Sequence, residues 1–232
     1  YPASNVSMDF VSFEPDTFMM DMDSTTIDTF EISRYEVTNQ QFSAFLNAIE
    51  ADSAGNYGRQ KYIYLTDTTA IRYRNGRFSP KQNLASHPVV NVTWYGAKAF
   101  CQWMGGTLPR ENEWFYAADT GYRYSGSNSP GEVAWYRENS GGVLHQTGQK
   151  QANSHGIYDM SGNAWEWCND WYAKDYYSKS PQDNPKGPSS GTYRVLRGGN
   201  HLSTGVSCQV AKRYYSKKPG SAAGSFRFSQ DL

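Results

Sequence analysis

The amino-acid sequence predicts an α+β chain, irregular and loop-rich, with two or three helices and short antiparallel strands. Three observations predict it. Helical periodicity is confined to the first half, in two capped apolar stripes and a shorter third segment. Strand-like alternation occurs only in short runs such as Met8 to Phe13 (MDFVSF). The 21 Gly and 10 Pro accompany 7 Trp, 18 Tyr and 11 Phe, a composition of rings joined by turns and not of a helical bundle.

Taken in order, a strand is expected over Met8 to Phe13 and a second short one over Thr29 to Arg34. Thr38 opens a helix. Gln41, three residues on, completes a capping box, and Phe42, Phe45, Leu46 and Ile49 follow at helical spacing as one buried stripe. Ala51 to Leu84 is polar and punctuated by Gly. Asn75-Gly76, between Ile71-Arg72-Tyr73 and Phe78, marks a hairpin, because two-residue hairpin turns demand left-handed backbone. Thr93 opens the next helix, with Trp94, Ala97, Cys101 and Met104 on one face and Gly105-Gly106 at its end. A third helix is expected from about Glu111 to Ala118. Beyond Asp119 periodicity fades and Gly, Ser, Asn and Pro dominate, which places the scaffold first and the working surface second. With neither an internal repeat nor a linker, residues 1–232 read as one domain.

Composition removes several function classes. Lys plus Arg equals Asp plus Glu at 22 each, so no broad attraction to nucleic acid or an anionic membrane is expected. No apolar run approaches the roughly 20 residues of a membrane span, so a soluble chain is expected. Cys101, Cys168 and Cys208 allow one disulfide at most, and their spacing matches no zinc knuckle. His87, His145, His155 and His201 show no metal spacing. Residue 1 is Tyr and the chain is rich in Tyr, Ser, Asn and Thr, which is read as an exported or cell-envelope protein whose leader has been removed.

Four segments carry a resemblance: ISRYEVTNQQFSAFL (Ile32 to Leu46), HPVVNVTWYGAKAFCQWMGGTLPRENEWFYAA (His87 to Ala118), GIYDMSGNAWEWCNDWY (Gly156 to Tyr172) and RVLRGG (Arg194 to Gly199), followed by Phe226-Arg227. In this order and spacing the chain resembles the formylglycine-generating sulfatase-modifying-factor family. The resemblance implies a fold related to C-type lectins. It also implies oxidation of a sulfatase cysteine to formylglycine by a cysteine pair, five residues apart, that binds copper(I). Soft thiolates suit copper(I). At the matching positions stand Ser203 and Cys208, so half the ligand pair is a hydroxyl. Asn200, Ser207 and Gln209 depart from the family's serine, tyrosine and arginine, while its pocket tryptophan is kept as Trp165. No copper is expected, and Cys208 alone is left as a catalytic candidate.

The resemblance further implies a calcium site made by the side chains of Asp159 and Glu166 and the carbonyls of Gly162 and Ala164, a hard-oxygen set. Asn139, in WYRENSGG, is a candidate for a second calcium site. The function these residues predict is a non-catalytic module that binds a protein or small-molecule ligand. Its face would comprise Asn200 to Gln209, Trp165 and part of Arg213 to Ser216, with His201, Ser203, Arg213, Tyr214 and Tyr215 as binding residues. A rival location is the Asn56 to Leu84 insertion. Two alternatives stay open. One is an oxidoreductase acting on a protein cysteine. The other is a variable protein of a diversity-generating retroelement, since NHLSTGVS (Asn200 to Ser207) contains only residues reachable by adenine mutation of Asn codons.

Overall fold

The computed structural model describes residues 6–20, 23–67, 69–118, 121–216 and 224–232. In chain order its elements are β1 (Phe10–Phe13), β2 (Asp16–Met20), β3 (Asp23–Ile27), β4 (Phe30–Ser33), α1 (Asn39–Ala48), β5 (Asn56–Tyr57), β6 (Gln60–Lys61), β7 (Ile71–Arg74), β8 (Arg77–Pro80), α2 (Trp94–Met104), α3 (Glu111–Ala118), α4 (Pro130–Val133), β9 (Glu166–Trp171), β10 (Arg194–Arg197), β11 (Tyr214–Ser216), β12 (Ser225–Phe226) and β13 (Ser229–Asp231). The architecture is mixed α and β, as expected. Four helices occur among the described residues, the fourth a single turn beginning at a proline.

The helices form where their caps say they should. Thr38 accepts the Gln41 backbone N–H at 3.3 Å while the Gln41 side chain accepts from the Thr38 N–H at 2.8 Å, satisfying two donors that a helix start leaves open. Thr93 caps α2 one way only, its hydroxyl accepting the Gly96 N–H, and Gly105 ends the helix with φ 96°. Asn75 and Gly76, at φ 53° and 77°, turn β7 into β8. β2 and β3 form a hairpin that the sequence pattern did not signal.

Two sheets organise the rest. β4 lies between β1 and β13, both antiparallel to it, so segments near the two ends of the chain meet. The other sheet runs β11-β10-β9-β12, with one parallel pair, β12 on β9. Successive strand residues face opposite sides, and both faces of β9 and β10 are buried. Trp167 and Leu196 join Phe226 in a core shared with α1 and α2, where the rings of Phe42, Phe45, Phe100 and Phe226 meet at 5.4–5.9 Å. Cys168 and Val195 face a second core with Trp114, Phe13, Phe30 and Ile32. Each such side chain contributes about 1.5–3 kcal/mol on burial. Cys101, Cys168 and Cys208 are all free and buried. No helix among the described residues is long and apolar enough to cross a membrane.

Candidate functional site

β10 delivers the chain to the site. Arg197 closes the strand with no appreciable exposure, 2.9 Å from Glu111, and donates to the carbonyls of Val210 and Lys212, which clamps both ends of the loop that follows. Gly198 and Gly199, at φ 87° and 81°, then reverse the chain. A side chain at Gly199 would stand 2.6 Å from the Cys208 sulfur, so the turn and the buried thiol require each other.

Asn200 and His201 emerge from this turn into a pocket of about 160 Å³ lined by Val90, Asn91, Leu144, Ala164, Trp165, Asn200, His201 and Gly224. The lining is neutral: one indole, two carboxamides, one imidazole and aliphatic surface. The His201 backbone N–H donates to the Asn163 carbonyl at 2.9 Å, and its ring Nδ1 lies 3.2 Å from the same oxygen. A carbonyl only accepts, so Nδ1 carries the hydrogen and Nε2 keeps a lone pair. Burial, with the nearby His145 adding to it, holds the His201 pKa below the usual histidine value. Asn163 is the hub beneath. It sits at φ 54°, and its amide donates to Glu36 at 2.6 Å while its Oδ1 accepts the His145 N–H at 3.1 Å.

The predicted binding residues therefore separate. Trp165, Asn200 and His201 line one pocket, and Tyr214 backs it, its ring 4.5 Å from that of Trp165. Ser203 is taken up within its own loop, its hydroxyl donating to Asn200 Oδ1 at 2.8 Å and accepting from the Asn200 N–H at 3.1 Å. Ser207 lies in a short 3₁₀ turn, 3.2 Å from the Thr204 hydroxyl, and Gln209 ends that turn. Arg213 is engaged within the fold, bidentate to buried Glu111 at 2.8 and 2.7 Å, with 11% of its side chain exposed. Tyr215, next to Tyr214 on β11, faces the opposite side of the sheet against Tyr172 and Tyr193. Glu36, Asn91, Asn163 and Leu144 were missed. Glu36, Asn91 and Asn163 lie inside three of the segments that carry the resemblance, whereas Leu144 lies outside all four.

Cys208 is enclosed with Tyr124, Val133 and Tyr136, and burial pushes its pKa up to about 12. It does not line the pocket.

Of the two carboxylates expected to hold calcium, Glu166 is committed on both oxygens and Asp159 on one. Glu166 receives Arg227 Nε and Nη2 at 2.7 and 2.6 Å and the Trp114 indole N–H at 2.6 Å. Asp159 accepts from the Gly148 N–H at 2.7 Å, its other oxygen is buried without a partner, and burial chiefly pushes its pKa up to about 6. Glu36 accepts from Asn163 and from the Ala164 N–H; burial, then Asp159 and Glu166, raise it well above the usual carboxylate value. Calcium needs carboxylate oxygens free to turn toward it, and a guanidinium already fills Glu166. The set as arranged does not fit a calcium ion. Asn139 is likewise used up, accepting from the Tyr136 N–H and donating to the Ala134 carbonyl at 2.8 Å each. Among the described residues no three His, Cys, Asp or Glu side chains are placed to hold a metal ion.

Comparison with known proteins follows the same lines. The chain is 36% identical over 203 residues to serine/threonine-protein kinase pkn1 of Chlamydia pneumoniae, covering 86% of this chain but only 32% of that protein. It is 32% identical over 241 residues to the formylglycine-generating enzyme of Streptomyces coelicolor, covering 86% of this chain and 76% of the enzyme. Among solved structures, Treponema denticola variable protein 1 matches with a TM-score of 0.76 at 24% identity, over 100% of this chain and 98% of that one. The family described as sulfatase-modifying factor enzyme 1-like domain matches residues 4–229. This chain belongs to that family.

Proposed function

We propose that the chain is a non-catalytic recognition module built on the sulfatase-modifying-factor fold. The observation that carries the reading is the separation of thiol from pocket: Cys208 is sealed behind Gly199, and the open pocket is lined by neutral groups. The loops that supply Leu144, Asn200 and His201 to the pocket also turn apolar side chains outward. Leu202 and Val206 are 52% and 58% exposed, and Val143 is 57% exposed on the neighbouring loop. That loop is tied to the first by Ser140, which donates to the His201 carbonyl at 2.7 Å, and by Arg137, which donates to the carbonyls of Leu202 and Ser203. An apolar rim around a small hydrogen-bonding pocket suits an uncharged side chain of a protein partner. A pocket of about 160 Å³ is well below the 300–1,000 Å³ of drug-sized ligand sites.

The mostly small and polar Asn200 to Ser207 run, and a fold shared with Treponema denticola variable protein 1, support a specialised form in which this loop is hypervariable. A second reading, an oxidase acting on a protein cysteine, is favoured by the 32% identity to a formylglycine-generating enzyme. Selection of displayed peptides against the folded chain tests the first reading. Selected peptides should bind through uncharged anchors and lose binding to the Leu202→Asp and His201→Ala variants. Peptides that bind both variants as well as the original chain would place recognition elsewhere.

A further inference from the structure

On the sheet, away from the pocket, one arginine is held without a counter-ion. Arg194 of β10 sits opposite Trp171 of β9 in the antiparallel register. Its guanidinium carbon lies 3.4 Å from the Trp171 ring centre and 3.6 Å from that of Trp94, the first residue of α2. One helical turn on, Lys98 places its ammonium 4.9 Å from the Trp94 ring. The Trp94 ring is fixed: it is 4% exposed, and its indole N–H donates to the Cys168 carbonyl at 2.9 Å. Two cations therefore share one immobile indole.

No carboxylate forms an ion pair with either among the described residues; Asp170 acts on Arg194 only from beyond ion-pair distance. Arg197, Arg213 and Arg227 each meet a carboxylate, Glu111 or Glu166. Arg194 has none within ion-pair distance among the described residues, and neither has Lys98. Of its five N–H groups Arg194 uses one set, on Nη1, toward the Asn169 carbonyl, while its Nε is buried without an acceptor. Burial lowers the Arg194 pKa to about 10, and burial followed by the charge of Arg194 lowers that of Lys98. Stacking on indole faces offsets part of the desolvation of a cation but supplies no hydrogen-bond acceptor. Tyr95 adds a phenol ring, 38% exposed, beside Trp94.

We propose that Arg194 and Lys98, held by Trp94 and Trp171, form a binding site for an oxyanion group, namely sulfate, phosphate or carboxylate. The anion accepts from the free Nη2 edge of Arg194 and from the Lys98 ammonium, neutralising a pair of cations that the fold leaves unmatched. This site is distinct from the pocket at Trp165 and does not depend on that pocket's function.

Titrate the folded chain with sodium sulfate, inorganic phosphate and acetate in turn, with sodium chloride at matched ionic strength as reference, and follow the Arg194 side-chain N–H signals by nuclear magnetic resonance. At least one oxyanion should shift them saturably where chloride does not. The three arms distinguish tetrahedral from planar anions. Lys98→Met, at a partly exposed position whose loss leaves the core intact, should weaken binding about five- to tenfold, the loss of one charge pair at the surface. Because sulfate stabilises proteins generally by exclusion, the second readout is a difference: the extra melting-temperature gain in sulfate over chloride should shrink in Lys98→Met. Shifts that match chloride for all three anions, or equal affinity in Lys98→Met, would overturn the proposal and leave Arg194 a spacer between two rings.

Discussion

Arg227 meets Glu166 as a two-point pair, guanidinium Nε and Nη2 on the two carboxylate oxygens at 2.7 and 2.6 Å, with both side chains fully buried. The remaining donors of Arg227 reach the carbonyls of Ser33 and Tyr158 at 2.9 Å each, so one side chain ties β4, β9 and the loop before it to the C-terminal segment. Asp159 and Glu166 lie close enough to add to the proton affinity that burial gives Glu36, and Arg227 faces all three carboxyls. Replacing Arg227 with Met should destabilise the fold by about 3–5 kcal/mol, the range for breaking a buried pair and leaving one charge behind. Urea denaturation measures it. A loss under 1 kcal/mol would mean that Glu166 finds another partner.

Calcium should have no effect on stability. Glu166 is occupied by a guanidinium and an indole N–H, so a divalent ion would have to displace both. The melting temperature of metal-free protein is expected to be the same with chelator and with millimolar calcium. A rise that disappears in Asp159→Ala would show that the cluster rearranges around the ion and would reinstate the site that the family resemblance implies.

A second buried group sets a pH dependence. Burial raises Asp170 and Glu113 to about 7 each, with Glu111 adding to the shift of Asp170. A carboxyl whose folded pKa is raised keeps its proton while the unfolded chain releases it. Between about pH 4 and 7 the folded state then binds more protons, so stability declines as pH rises and levels off above 7. Asp170→Asn keeps an acceptor for the Glu111 N–H, now met by Oδ2 at 2.8 Å, and should make the decline shallower. At pH 8 the variant should gain about 1–2 kcal/mol. Parallel stability–pH curves for the two proteins would contradict this.

The recognition face should be separable from the fold. Leu202→Asp and Val206→Asp change side chains more than half exposed, and exposed substitutions of this type move stability by about 0.5 kcal/mol or less. Peptide binding selected on the original chain should fall at least tenfold with the melting temperature nearly unchanged. Arg213→Ala should do the reverse, lowering stability through Glu111 and leaving affinity intact. Loss of affinity only in unstable variants would argue against a surface site.

Local signals made the helices legible. Thr38 with Gln41, and Thr93 with Gly105, act within a few residues of themselves, and the apolar stripes needed no knowledge of what they pack against. β9 was not legible because both its faces are buried, which removes the alternation that marks a half-exposed strand. Met19 is exposed and Met20 buried in β2, but the mixed run around them gave no clear period. At the site, the residues after the RGG turn, Asn200 and His201, line the pocket. The ion pair of Arg213 was not legible: its partner, Glu111, lies 102 positions away, and nothing near Arg213 announces it. The pairing of Glu166 was hidden for the same reason, since Arg227 arrives from 61 positions downstream. Charge partners distant in sequence decide whether a polar residue serves the ligand or the fold.

The central claim, that this pocket recognises and does not oxidise, is tested most directly by mass spectrometry of a sulfatase-motif cysteine peptide incubated with the protein, copper(I) and oxygen. Cys208 is buried with Tyr124, Val133 and Tyr136, and burial pushes its thiol up to about 12, while Ser203, which the family resemblance places at the other copper-ligand position, has its hydroxyl held by Asn200. No aldehyde product is expected above a protein-free control, and Ser203→Cys alone should not create it. Aldehyde formed over many turnovers by the unaltered chain would contradict the recognition reading and establish the oxidase.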